Sequence, residues 1–213
     1  MQHPFLRISF ILASTSNQSS GKASSCDTSV LGDCYGTYLN NLNVTDRLPP
    51  YTDYFTAVFN YLVDNSRKGL RNTCQWRDDL RACLGPSFES CVNREAFEKT
   101  YNVSELDAAQ YQGDLRIGEF ICGDGYKDMI KYGTCFSLCE IQRQEENSAC
   151  IDELEKRIRK EGFQCGPYYK FMECIGATFT QECGEETSSF VCKGWRSALQ
   201  AYTHQCDDTL PKC

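Results

Sequence analysis

Apolar residues recur at helical spacing along most of this chain. Val30, Leu31, Cys34, Tyr35, Tyr38, Leu39 and Leu42 fall at three- and four-residue steps, the signature of one buried helix face. After Pro49-Pro50 the pattern strengthens through Tyr54, Phe55, Val58, Phe59, Leu62 and Val63. A third segment runs from about Gly69 to Leu84 and should stop at Gly85-Pro86, a C-terminal glycine followed by a helix breaker. Ser104-Glu105-Leu106-Asp107 reads as a capping start, with helical spacing resuming near Leu115. Ser148 is placed to cap a helix whose apolar side is Ile151, Leu154 and Ile158. Its outer side pairs Asp152 with Lys156, Glu153 with Arg157 and Glu155 with Arg159, acid first. No segment sustains the period-two alternation of a strand. The expected fold is all-α, a disulfide-stapled multi-helix bundle.

A repeat underlies this pattern. Cys74, Cys83-Leu84-Gly85-Pro86-Ser87-Phe88 and Cys91 recur as Cys165, Cys174-Ile175-Gly176-Ala177-Thr178-Phe179 and Cys183. The correspondence predicts two related helical half-units, about 26–110 and 111–213, within one folded region from residue 26 to 213. Gly85 and Gly176 are structural positions in this reading. Nine residues of helix turn ~900° and rise ~13.5 Å. Cys74 and Cys83 therefore lie on opposite sides, beyond the ~7 Å Cα separation that a disulfide tolerates. Each must reach a different neighbour, as must Cys165 and Cys174. Cys165 precedes Gly166-Pro167 and is expected just outside its helix. Cys135 and Cys139 share a face at i, i+4, and both are expected to bond outward.

Cysteine count then sets the compartment. Fifteen cysteines in 213 residues, with no C-x-x-C pair, point to an oxidising environment, because cytosolic thiols are kept reduced. The expected framework comprises Cys34, Cys74, Cys83, Cys91, Cys122, Cys135, Cys139, Cys150, Cys165, Cys174, Cys183, Cys192 and Cys206. The odd count leaves one over. Cys213, the last residue, is the first candidate for a free thiol or a bridge to a second copy, and Cys26 the second. A Cys26–Cys213 clasp between the termini is the alternative. Spacing alone does not choose the connectivity.

The N-terminus fits secretion. Met1 to Arg7 forms a basic lead, Ile8 to Ala13 a short apolar stretch, and Ser14 to Ser25 a Ser-rich run, so 1–25 reads as a signal peptide and structureless lead-in. Asn17, Asn43 and Asn102 head N-glycosylation tripeptides. A net charge of −7 argues against nucleic acid or an anionic membrane surface. No apolar run approaches the ~20 residues of a membrane span.

The cysteine pattern resembles a family of cysteine-rich secreted domains from nematodes, with about a dozen cysteines and no assigned function. The resemblance rests on Cys74-x8-Cys83-Leu84-Gly85, on Phe120-Ile121-Cys122-Gly123-Asp124-Gly125-Tyr126, and on Cys165-x8-Cys174 through Cys183 to Cys206. It covers roughly Cys26 to Cys206. It implies a secreted helical protein and brings no catalytic residues.

Familiar chemistry is missing from the sequence. With 1–25 removed, His204 is the sole histidine and reads as a surface or capping residue. Secreted phospholipase A2 would need a His-Asp pair beside adjacent cysteines, and serine hydrolases a G-x-S-x-G, neither of which occurs. Cys135-x3-Cys139 resembles half a zinc site, yet disulfides are the simpler use. Asp124 and Asp128, flanking Gly125, suit a helix start better than a calcium loop, whose terminal Glu is missing. Lys156-Arg157 and Arg159-Lys160, interleaved with acids, read as a solvated face. We therefore expect no catalytic, metal or cofactor residues. The expected role is a non-enzymatic extracellular module that binds a protein partner. The alternative is a carrier for a small hydrophobic ligand, lined by Tyr54, Phe55, Val58, Phe59 and Leu62 with Trp195, Phe171, Met172 and Tyr202. A disulfide-linked homodimer through Cys213 is one assembly the spare cysteine allows, alongside the clasp.

Overall fold

The computed structural model describes residues 26–45 and 47–213; the leader 1–25, with His3 and Asn17, lies outside the described residues. Every regular element among the described residues is helical. Two compact units make up the chain, 26–118 and 119–213, and the division falls between Gly118 and Glu119.

In the first unit, α1 (Thr28–Asn40) starts where the Asp27 carboxylate accepts from the Ser29 and Val30 amides, filling two of the four orphan donors of a helix start. It buries Leu31, Cys34, Tyr35, Tyr38 and Leu39. Val30, expected on that face, is 37% exposed because it lies one step off the stripe.

The long α2 (Tyr51–Leu84) follows Pro50 and is broken once, at Ser66, whose φ of 49° and ψ of −128° lie outside the helical region. The two helical segments expected at Tyr54–Val63 and Gly69–Leu84 are its two arms. It ends at Leu84, where Gly85 takes φ 51° and its N–H bonds to the Arg81 carbonyl, as the glycine signal implied. A 3₁₀ turn (Gly85–Ser87), a single-turn α3 (Phe88–Cys91) and α4 (Arg94–Tyr101) follow. Helix α5 (Glu105–Cys122), which begins in this unit and runs past Gly118, is continuous from the Ser104 cap rather than resuming near Leu115. Ser104 Oγ accepts from the Asp107 N–H at 3.0 Å and donates to the Asp107 carboxylate at 2.8 Å. Cys26–Cys91 and Cys34–Cys83 clamp α1 to the far end of α2 and to α3.

In the second unit, α8 (Cys165–Cys183) packs against α6 (Tyr126–Gln142), α7 (Gln144–Glu161) and α9 (Ser188–Gln200). Phe136 stacks on Phe190 at 4.9 Å between centroids and meets Phe179 edge-on, while Trp195 stands edge-on to Phe171 at 5.0 Å. Two local expectations are corrected. Ser148 lies inside α7, which begins four residues earlier at Gln144. Cys165 is the first residue of α8, not outside it, because Pro167 sits in the first turn, where its missing N–H costs nothing. Asp128 falls in the first turn of α6, the helix-start role expected for it.

The disulfides of this unit are Cys135–Cys183, Cys150–Cys174, Cys165–Cys206 and Cys192–Cys213. Cys74 and Cys122 are also disulfide-bonded. Cys83, Cys165 and Cys174 each reach a different partner, as the nine-residue step required. The expectation for the spare cysteine fails. Cys213 pairs with Cys192 and Cys26 with Cys91, so neither is free, they form no clasp, and no thiol at Cys213 is left to link a dimer. The free cysteine is Cys139, one turn beyond Cys135 on α6 and fully buried.

Candidate functional site

Polar chemistry concentrates at two buried places, one in each unit. In the first, Tyr38 of α1, Tyr54 and Arg77 of α2 and Asp114 of α5 form a chain. The Tyr38 and Tyr54 hydroxyls are 2.8 Å apart. Tyr54 donates to Asp114 Oδ2 at 2.8 Å. Arg77 Nη2 donates to the same oxygen at 2.8 Å, and Nη1 to the Asp114 backbone carbonyl at 3.0 Å. The Arg77 and Asp114 side chains are only 14% and 13% exposed. Burial would pull the Arg77 guanidinium down, yet Asp114 and the two phenols hold it well above its ordinary value. Burial, reinforced by the Asp114 charge, lifts Tyr54 far above the usual phenol range. The phenols are therefore neutral and the guanidinium charged at any physiological pH.

Around this chain lies a cluster of rings. Tyr35 meets Phe97 and Tyr111 edge-on, and Tyr111 in turn contacts Tyr51 and Tyr54. Tyr35 is fully buried and its hydroxyl has no hydrogen-bond partner. Such an arrangement has the attributes of a fastener. Asp114 spends one oxygen on two donors, and the chain ties three helices together.

The second place is the junction of α6, α7 and α8. Cys139 Sγ lies 3.8 Å from the Thr178 carbonyl. Glu140 is 8% exposed with Oε2 unpartnered, and Asn147 is fully buried with neither amide atom bonded. Burial pushes Glu140 up to about 8. Burial, then the Glu140 and Glu182 charges, push the Cys139 thiol up to about 11. Arg143 joins the junction from its rim, donating through Nε to Glu182 and through Nη1 to Glu146, both at 3.1 Å.

The residues read as a ligand lining are distributed otherwise. Tyr54 and Val58 are buried in the first unit, while Phe55, Phe59 and Leu62 are half-buried. Trp195, Phe171, Met172 and Tyr202 are buried in the core of the second. His204 is exposed and sits 3.0 Å from Asp207. An open, shallow groove on α7 is lined by Asp152, Glu155, Lys156, Arg159 and Lys160, the charged face expected there. Arg157 pairs with Glu153 at 3.0 Å, and Arg159 pairs with Glu155. Among the described residues, no group of three or more His, Cys, Asp or Glu side chains is placed to hold a metal. No helix of the described chain is long and apolar enough to cross a membrane.

No known protein family, curated protein or solved structure matches this chain. The sequence reading missed both buried places, although a signal existed for the first. Arg77 falls in register with Leu70, Thr73, Cys74, Leu80 and Leu84, and Asp114 with Tyr111, Leu115 and Gly118. A charge on a buried stripe implies a buried countercharge.

Proposed function

We propose that this chain is a secreted, non-enzymatic interaction protein that presents rigid helical units to an extracellular protein partner. The observation that supports this reading is the disulfide framework. In the first unit two bonds close loops of 65 and 49 residues in sequence separation, and in the second four bonds tie α6 and α7 to α8 and the C-terminal segment to α8 and α9. A reducing compartment would dissolve such cross-links. The buried polar groups act as fasteners in this reading, and the exposed Leu138 and Ile141 on the outer side of α6 are surface features rather than a catalytic cleft. On its cysteine spacing, we group the protein with the nematode secreted domains it resembles.

Two glycosylation positions accord with the same reading. Asn43 and Asn102 are exposed and take φ 57° and 55° just past the ends of α1 and α4. A glycan on either would project from a helix exit without displacing packed atoms.

The test is expression of the full chain from its own N-terminus in eukaryotic cells. The expected product leaves the cell, carries removable N-glycans at Asn43 and Asn102, and exposes one thiol when denatured. A chain retained in the cytosol with its thiols reduced would overturn the reading. Native mass spectrometry of the secreted form separates the two roles. A bare polypeptide plus glycan mass supports an interaction protein, and a retained small hydrophobic mass lost on denaturation would make it a carrier.

A further inference from the structure

Ser66 is the one interruption in the 34 residues of α2. Its backbone, φ 49° and ψ −128°, lies in a region that favours glycine and costs free energy in any residue bearing a Cβ. The next two residues are Arg67 and Lys68. All three are exposed, and neither basic side chain forms an ion pair or hydrogen bond with the described residues. The break thus places an exposed, paired-basic sequence directly after the one non-helical residue of α2 and just before Gly69, which is buried.

The chain holds two other basic pairs, Lys156-Arg157 and Arg159-Lys160, and the structure treats them differently. Both lie inside the uninterrupted α7. Arg157 is paired with Glu153 and Glu161, Arg159 with Glu155, and Lys160 with Glu161. A protease must draw several residues into extended form, so it acts through local opening. Opening at α7 breaks helix and ion pairs together, whereas opening at Ser66 releases backbone strain.

We propose that the Lys68–Gly69 peptide bond is a processing site for a secretory-pathway protease that selects paired basic residues. This inference rests on the secreted reading above. Hydrolysis adds one water, its hydroxyl to the Lys68 carbonyl carbon and its proton to the Gly69 nitrogen. The two pieces do not separate, because Cys26–Cys91 and Cys34–Cys83 both span the cut. The product is a two-chain protein in which the arms of α2 are no longer joined through Ser66.

The experiment uses the oxidised full chain treated with a limiting amount of a paired-basic-specific, subtilisin-like protease, with trypsin in parallel. Without reductant the expected product is one species heavier by a single water. With reductant it gives two chains, the second beginning at Gly69. The variant Arg67→Gln/Lys68→Gln should lose the two-chain form while keeping its non-reducing mobility and its thiol count. First cleavage in α7, resistance of the folded protein, or undiminished cleavage of the variant would each overturn the site. A secreted protein that resists cleavage sinks this inference alone. A chain that is cleaved at Lys68 in vitro but never leaves the cell sinks the secreted reading instead.

Discussion

The guanidinium of Arg77 fills the space that a side chain at position 118 would need. A Cβ built on Gly118 would stand 2.8 Å from Nε and closer still to Cζ and Nη1. The guanidinium cannot retreat without leaving Asp114, to which it makes two hydrogen bonds. Gly118→Ala should therefore lower unfolding free energy by about 1–3 kcal/mol, the cost of overpacking. Urea denaturation measures it, and a variant as stable as the parent would show that Arg77 has room to move.

Asp114 carries the charge that makes Arg77 tolerable below the surface. Asp114→Asn keeps the shape and leaves a partly buried guanidinium uncompensated, so a loss of about 3 kcal/mol is expected. Tyr54→Phe removes one neutral donor and should cost about 1 kcal/mol. A double-mutant cycle reads their coupling. Strict additivity would mean that the Tyr54–Asp114 bond contributes nothing.

Glu140 sets a pH dependence with a definite sign. An exposed glutamate ionises near 4.5, whereas burial raises this one to about 8. Between those values the folded chain holds a proton that the unfolded chain has lost. Its contribution is fully present below about 4.5, declines as pH rises, and is gone above about 8. The total is on the order of a few kcal/mol. Glu140→Gln should flatten the fall in denaturation midpoint between these limits and raise stability at pH 8. An unchanged slope would assign the dependence to another group.

The Cys139 thiol, buried and pushed up to about 11, should be nearly inert in the native protein. At pH 8 only about one thiol in a thousand is ionised at such a value. Iodoacetamide should label native protein negligibly and denatured protein once. Cys139→Ala should abolish that label and leave every disulfide in place. By contrast, Cys213→Ser should add a reactive thiol at Cys192. Rapid native labelling at Cys139 would contradict its burial.

Ser66 offers a test in which the direction of change decides. If its positive φ is a native strain, Ser66→Gly should stabilise by about 1 kcal/mol. Within regular helix the same change would destabilise by about 0.5–1 kcal/mol. A drop in the thermal midpoint would show an intact helix in solution.

Local features were legible and long-range ones were not. The stripe Leu31, Cys34, Tyr35, Tyr38 and Leu39 is buried as read, and the helix ends at Gly85, at positive φ, where the glycine signal placed its end. The two arms of α2 were legible as separate apolar segments ending at Val63 and restarting at Gly69, but Ser66 itself gave no warning as the non-helical residue between them. Cys139 shows the limit most clearly. It shares a face with Cys135, and both look toward α8. Opposite Cys135 stands Cys183, but the antiparallel neighbour places Thr178 opposite Cys139. No cysteine is there to receive it.

By itself, the sequence determined that the chain is helical, where most of its helices lie, and that an odd cysteine must remain within one copy. Those properties follow from the 3.6-residue period and from counting, both of which are written locally. Tertiary structure alone decided which cysteine stays free, which carboxylate meets the Arg77 guanidinium, and which helix exits hold the exposed asparagines. Each depends on which residue of one helix lies opposite which residue of another. That is set by the packing of whole faces, to which no short segment holds the answer.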